Sequence, residues 1–142
     1  MKNLSEYINN RFFKVITKAS QLLNYESYVI GGYVRDILLE RPSNDIDVVT
    51  VGSGIELAKK TASMISDKKE VKYYGRFGTA MIRMKDKEIE FVGARKESYE
   101  PSSRKPMVEN GTLEDDQNRR DFTINALAIS LNEHNYGELI DP

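Results

Sequence analysis

The segment Tyr28–Val49, YVIGGYVRDILLERPSNDIDVV, constrains this chain more than any other. A short apolar run, Tyr28 to Ile30, stops at Gly31-Gly32. Val34, Ile37 and Leu38 then suggest a helix of about two turns, which Pro42-Ser43-Asn44 breaks. Ile46, Val48 and Val49 resume a strand. Two glycines between strand and helix permit positive φ and close approach of a ligand to backbone. The helix start would aim free N–H groups at that approach, and Arg35 adds a fork-shaped donor suited to phosphate oxygens. In Asp45-Ile46-Asp47 the period of two puts both carboxylates on one face, with Cα atoms about 6.6 Å apart. Neighbouring acids repel, so the pair asks for a cation, and hard oxygen ligands suit Mg²⁺ or Mn²⁺. Alone, each feature is an ordinary turn or a solvated strand start. Together they describe a place for a triphosphate with its metal ions. The glycines match neither GxGxxG nor a Walker sequence, so neither a dinucleotide site nor a P-loop follows.

A length of 142 residues fits one domain. The formal net charge of −1 argues against a broad basic nucleic-acid surface, leaving a local patch or something outside this chain to hold such a partner. Absence of cysteine excludes disulfides and thiolate metal sites, and the single His134 excludes a histidine-rich one. The N-terminal residues hold no uninterrupted apolar run of leader length, and nothing later approaches a membrane span. The chain therefore reads as soluble and cytoplasmic.

Apolar residues at helical spacing predict a packing helix over 4–24 and a second over 55–65. Strands are expected at 71–74, 79–84 and 89–94, the last two joined by a short polar connection. Residues 96–118 are polar and aperiodic and read as a long loop; 121–127 reads as a short helix; 128–131 and 138–140 read as a closing hairpin. Hairpins mixed with helix-linked strands give an α+β fold, a mixed, mainly antiparallel sheet of about five strands flanked by helices.

Two further groups carry chemistry. Glu88 and Glu90 share one face of the third strand, and spacing alone does not choose between them as a third metal-binding acid. On a helix from 121, Asp121 and Asn125 would lie at i,i+4 and share a polar face able to meet two adjacent hydroxyls, as a ribose presents. Arg119 and Arg120 at its entrance could hold phosphate, although a capped amphipathic helix is the plainer account of the same residues.

Gly31-Gly32-Tyr33-Val34-Arg35-Asp36 with Asp45-Ile46-Asp47 resembles the opening signature of the bacterial class II tRNA nucleotidyltransferase and poly(A) polymerase family, in the polymerase-β-like superfamily. The run from Thr112 to Ala128, TLEDDQNRRDFTINALA, resembles that family's second nucleotide-binding motif. The resemblance covers Tyr28 to Pro142, so residues 1–27 read as a leading helix and 28–142 as a catalytic head, which in the family continues into helical neck, body and tail domains. It implies a polymerase-β-like nucleotidyltransferase fold and template-independent, two-Mg²⁺ transfer of a nucleotide from ATP or CTP to a tRNA 3′ end. It also implies metal binding and catalysis by Asp45, Asp47 and Glu90, the glutamate a few residues before Arg95. Nucleotide contact is implied for Gly31, Gly32, Arg35, Asp36, Arg119, Arg120, Asp121 and Asn125, with ribose recognition at the last two. A poly(A) polymerase head and an isolated nucleotide-binding module are the alternatives. Small-molecule nucleotidylation, known in relatives of the fold, is disfavoured by the second motif.

Overall fold

The computed structural model describes residues 3–41, 43–65, 71–74, 79–84, 87–98, 107–120 and 125–142, leaving aside the side chains of 74, 96–98 and 107–109. A 3₁₀ turn at Ser5–Ile8 leads into α1 (Arg11–Leu23). The single helix expected over 4–24 is thus interrupted at Asn9-Asn10, where Asn10 takes extended backbone (φ −101°, ψ 155°). Asparagine side chains compete for backbone groups and favour such starts over helix interiors. The helix ends at Asn24 in the left-handed conformation (φ 59°), whose N–H bonds back to the carbonyls of Ser20 and Gln21.

The elements β1 (Glu26–Ile30), α2 (Gly32–Leu38), β2 (Asp45–Val51), α3 (Gly54–Ile65), β3 (Val71–Tyr74), β4 (Thr79–Met84) and β5 (Lys87–Gly93) follow. After them come β6 (Arg95–Ser98), β7 (Met107–Asn110), α4 (Leu113–Asn118), β8 (Ala128–Ser130) and β9 (Leu139–Ile140). The main sheet has seven strands in the order β3-β4-β5-β2-β1-β8-β9. Every neighbouring pair is antiparallel except β2 and β5, which run parallel. The mixed, mainly antiparallel sheet is as expected. It has seven strands against the expected five or so, and the closing pair β8 and β9 is part of it.

Alternation along the strands sorts the two faces. Val29, Ile46, Val48, Ile82, Ile89, Phe91 and Ile129 point to one side, where they pack with Phe13 and Ile16 of α1, Val34 of α2 and Leu57, Ala58 and Ala62 of α3. On the other side a smaller cluster forms from Tyr28, Ile30, Val49, Ala94, Leu113 and Ala128. Leu113 brings α4 over that face at one end. The remainder of that face, at the start of β2 and β5, carries acids instead of apolar residues.

The described parts of 96–118, residues 96–98 and 107–118, are not the loop that their polarity predicts. β6 and β7 pair as a separate two-stranded sheet, and α4 follows. Leu113 is the sole apolar residue of α4, so no hydrophobic period announces it; a capping box does, Thr112 accepting from the Asp115 N–H and Asp115 from the Thr112 N–H. The helix expected over 121–127 falls partly outside the described residues, at 121–124. Of its described end, Asn125 is still in a 3₁₀ turn of helix, while Ala126 and Leu127 are bend and irregular chain leading into β8. The chain ends meet: the Leu4 N–H donates to the Gly137 carbonyl (2.7 Å) and Asn3 bridges to Glu138. Among the described residues no helix is long and apolar enough to cross a membrane.

Candidate nucleotide and metal site

The glycine turn forms because β1 must hand over to α2 within one residue. Gly31 does so at φ +82°, a conformation that L side chains rarely adopt, and it caps α2. A Cβ placed on Gly31 would stand 3.5 Å from Asp47 Oδ2, 3.8 Å from the Asn125 carbonyl oxygen and 3.9 Å from Arg120 Nη1. Residues from the turn, the acid strand and the second motif therefore converge on one point. Gly32 sits under Arg35, whose Nη2 would lie 3.2 Å from a Cβ there.

Register places the acids. β2 and β5 align Asp45 with Glu88 and Asp47 with Glu90. All four point to the face away from the main core, since Ile46, Val48, Ile89 and Phe91 between them are buried in it. One step further, β4 sets Arg83 opposite Glu88, and the two form an ion pair at 2.6 Å. That pairing separates the glutamates, which spacing alone could not: Glu88 has its own cation, while Glu90 faces Asp47. The carboxyl of Asp47 is pushed up to about 6, by burial first and then by Glu90, with Asp45 adding to the rise and Arg120 opposing it. A partly buried acid among like charges has a local excess of negative charge. Three hard oxygen donors on adjacent strands suit a divalent cation such as Mg²⁺ in chemistry. Among the described residues no three acidic, histidine or cysteine side chains form a ready-made cage.

The cationic wall is organised by two acids that lie behind it. Asp36 accepts from Arg35 Nε (3.1 Å) and Arg41 (3.4 Å), and Arg35 Nη1 also donates to Asn125 Oδ1 (3.2 Å). Asp36 thus faces its arginines, and Asn125 meets the site both through its carbonyl and through Arg35. Asp116, fully buried, accepts from Arg119 Nε (3.1 Å) and from Arg120 Nε and Nη2 (3.2 and 3.0 Å). Sequence reasoning quoted Asp116 inside the second motif without giving it a part. The signal was present: it stands at i−3 and i−4 from the two arginines, the spacings at which helical side chains meet. Asp121 lies outside the described residues.

Carboxylates beside a phosphate-ready turn, on a mixed sheet with helices over the opposite face, define a polymerase-β-like nucleotidyltransferase fold. Within that class the chain belongs to the family of the poly A polymerase head domain, which residues 27–142 match. It is 45% identical over 115 residues to the A-adding tRNA nucleotidyltransferase of Aquifex aeolicus (strain VF5), covering 81% of this chain and 14% of that protein. Among solved structures it resembles a CCA-adding enzyme in its second apo form (TM-score 0.86, 34% identity, 99% of this chain and 34% of that one). It also resembles a tRNA nucleotidyltransferase complexed with a primer tRNA and an incoming ATP analog (TM-score 0.75, 38% identity, 89% of this chain and 34% of that one). The chain spans about a seventh of the Aquifex protein and about a third of these two structures.

Proposed function

We propose that this chain is the catalytic head of a template-independent RNA nucleotidyltransferase. It would add a nucleotide from ATP or CTP to a tRNA 3′ end in the cytoplasm. One observation carries the reading: Gly31, Asp47, Arg120 and the Asn125 carbonyl meet around a single point, so phosphate donors and metal-binding acids face the same ligand. Asp45, Asp47 and Glu90 would hold two Mg²⁺ ions, for which Mn²⁺ can substitute. When bound, such ions lower the pKa of an attacking hydroxyl and stabilise the departing oxygens of an in-line displacement. The 3′ hydroxyl gives up its proton to solvent, its oxygen forms a bond to the α-phosphorus, the bond from that phosphorus to the bridging oxygen breaks, and pyrophosphate leaves with that electron pair.

The chain's own residues orient this event. Gly31 and Gly32 let the triphosphate approach backbone, and Arg35, Arg119 and Arg120 grip its oxygens, which brings the α-phosphorus into line. Asp36 serves through Arg35, which it holds. The second motif implies ribose recognition by Asp121 and Asn125. The tRNA body would be met by regions beyond this head, in keeping with the near-neutral charge. The relatives named above include A-adding and CCA-adding enzymes, and the choice between ATP and CTP belongs with that wider protein.

The test is calorimetric titration of ATP and CTP into the 142-residue protein with and without Mg²⁺, repeated on Asp47→Ala. Binding that needs Mg²⁺ and is lost in the variant is expected. Triphosphate binding indifferent to both metal and Asp47 would overturn the site. Incorporation on a tRNA trimmed at its 3′ end then distinguishes transfer from binding alone.

A further inference from the structure

We infer that Asp116 is a positioning residue for the triphosphate: it fixes the direction in which Arg120, and Arg119 beside it, present their guanidinium groups to the phosphates. The inference rests on the nucleotide site proposed above.

Asp116 is wholly buried, and its carboxylate is saturated. Oδ1 accepts from the Arg95 backbone N–H (3.0 Å) and Arg119 Nε (3.1 Å), while Oδ2 accepts from Arg120 Nε (3.2 Å) and Nη2 (3.0 Å). Those contacts fill its acceptor positions, so it has no capacity left to ligate a metal or receive a substrate proton. Its effect must pass through the arginines. Asp116 takes the Nε–Nη2 edge of Arg120, and the remaining nitrogen, Nη1, is the atom that stands 3.9 Å from the Cβ position of Gly31. A planar guanidinium held by one edge has its opposite side aimed. Here the aim is at the glycine turn and Asp47.

The platform beneath is itself tied down. Next to Asp116, Gln117 Nε2 donates to the carbonyls of Ala126 (2.9 Å) and Ile140 (3.0 Å), which locks α4 to the segments on either side of β8. Through the Arg95 N–H, Asp116 also reaches the chain just past β5, the strand that carries Glu90. One carboxylate therefore orients two cations and sets them relative to the acids. Holding an arginine in its bound direction before the ligand arrives removes an ordering cost from binding.

The test compares wild type with Asp116→Asn, which keeps the shape but replaces one acceptor oxygen with a donor that faces a guanidinium. ATP and AMP are titrated separately with Mg²⁺, and Arg side-chain Nε–H signals are followed by NMR. Since the arginines address the phosphate tail, ATP affinity is expected to fall about tenfold or more and AMP affinity by less than about twofold. The Arg120 Nε–H signal should lose its protection from solvent exchange at the same time. A folded Asp116→Asn protein with ATP affinity unchanged, or with ATP and AMP weakened alike, overturns the inference. Should the variant not fold, the wild-type spectrum decides: protected Nε–H signals for Arg119 and Arg120 support it, and rapid exchange sinks it. Failure of wild type to bind ATP would remove the nucleotide reading itself, a result distinct from a variant that binds as well as wild type.

Discussion

Asp47, proposed above to hold a metal ion, works against its own fold. Its carboxyl sits at about 6 in the folded protein against 3.8 for a free aspartate, so folding favours the protonated form. Below about pH 4 the group is protonated in both folded and unfolded chains and exacts nothing. As pH rises from about 4 through 6 the unfolded chain releases this proton first, and stability falls; above that it levels off. In chelator, Asp47→Asn should remove this slope and raise stability at pH 7 by about 1–3 kcal/mol, read as a higher melting temperature. A variant as unstable as wild type at pH 7 would mean that Asp47 carries no such penalty. Added Mg²⁺ should narrow the gap, because it stabilises only the protein that keeps the carboxylate. The metal role proposed for this residue and the stability of the fold pull it in opposite directions.

At the level of elements, the sequence was most legible where hydrophobic period and turn residues agreed. The glycine turn, β2 with its outward acids, α3 and the closing β8–β9 pair stand where Gly31-Gly32, Asp45-Ile46-Asp47 and the apolar runs put them. What escaped was polar. α4 contains Leu113 and five polar residues, so its start was written in the cap rather than in a stripe. β6 and β7 pair with each other, outside the main sheet, and need no alternating apolar face. In the sequence Glu90 is chosen over Glu88 by the family resemblance alone; the ion pair of Glu88 with Arg83 is a cross-strand contact that no local pattern names. Asp116 looked like one acid in an acidic run, and its burial between two arginines is a tertiary fact. The cap itself can be weighed: Thr112→Ala should lower stability by about 1 kcal/mol, measured by urea unfolding. No change in the midpoint would mean that packing of Leu113 alone holds the helix.

For the molecule as a whole, β2 and β5 are the one parallel pair of the main sheet, and the acids stand on that pair. Antiparallel neighbours such as β4 and β5 are joined by short connections and can zip locally. β2 and β5 cannot meet until α3, β3 and β4 have been laid down between them. Closing so long a loop costs chain entropy before any contact rewards it, which makes such pairings slow. During refolding, pulse-labelled hydrogen exchange should find the β4–β5 amides protected before those shared by β2 and β5. Simultaneous protection would contradict this order. The seam that brings Asp47 beside Glu90 would then be among the last to close. A partly folded chain with most of its hairpins would still lack the charge arrangement proposed to hold a metal ion. Competence would arrive late and all at once, giving the protein a built-in delay between taking shape and being able to act.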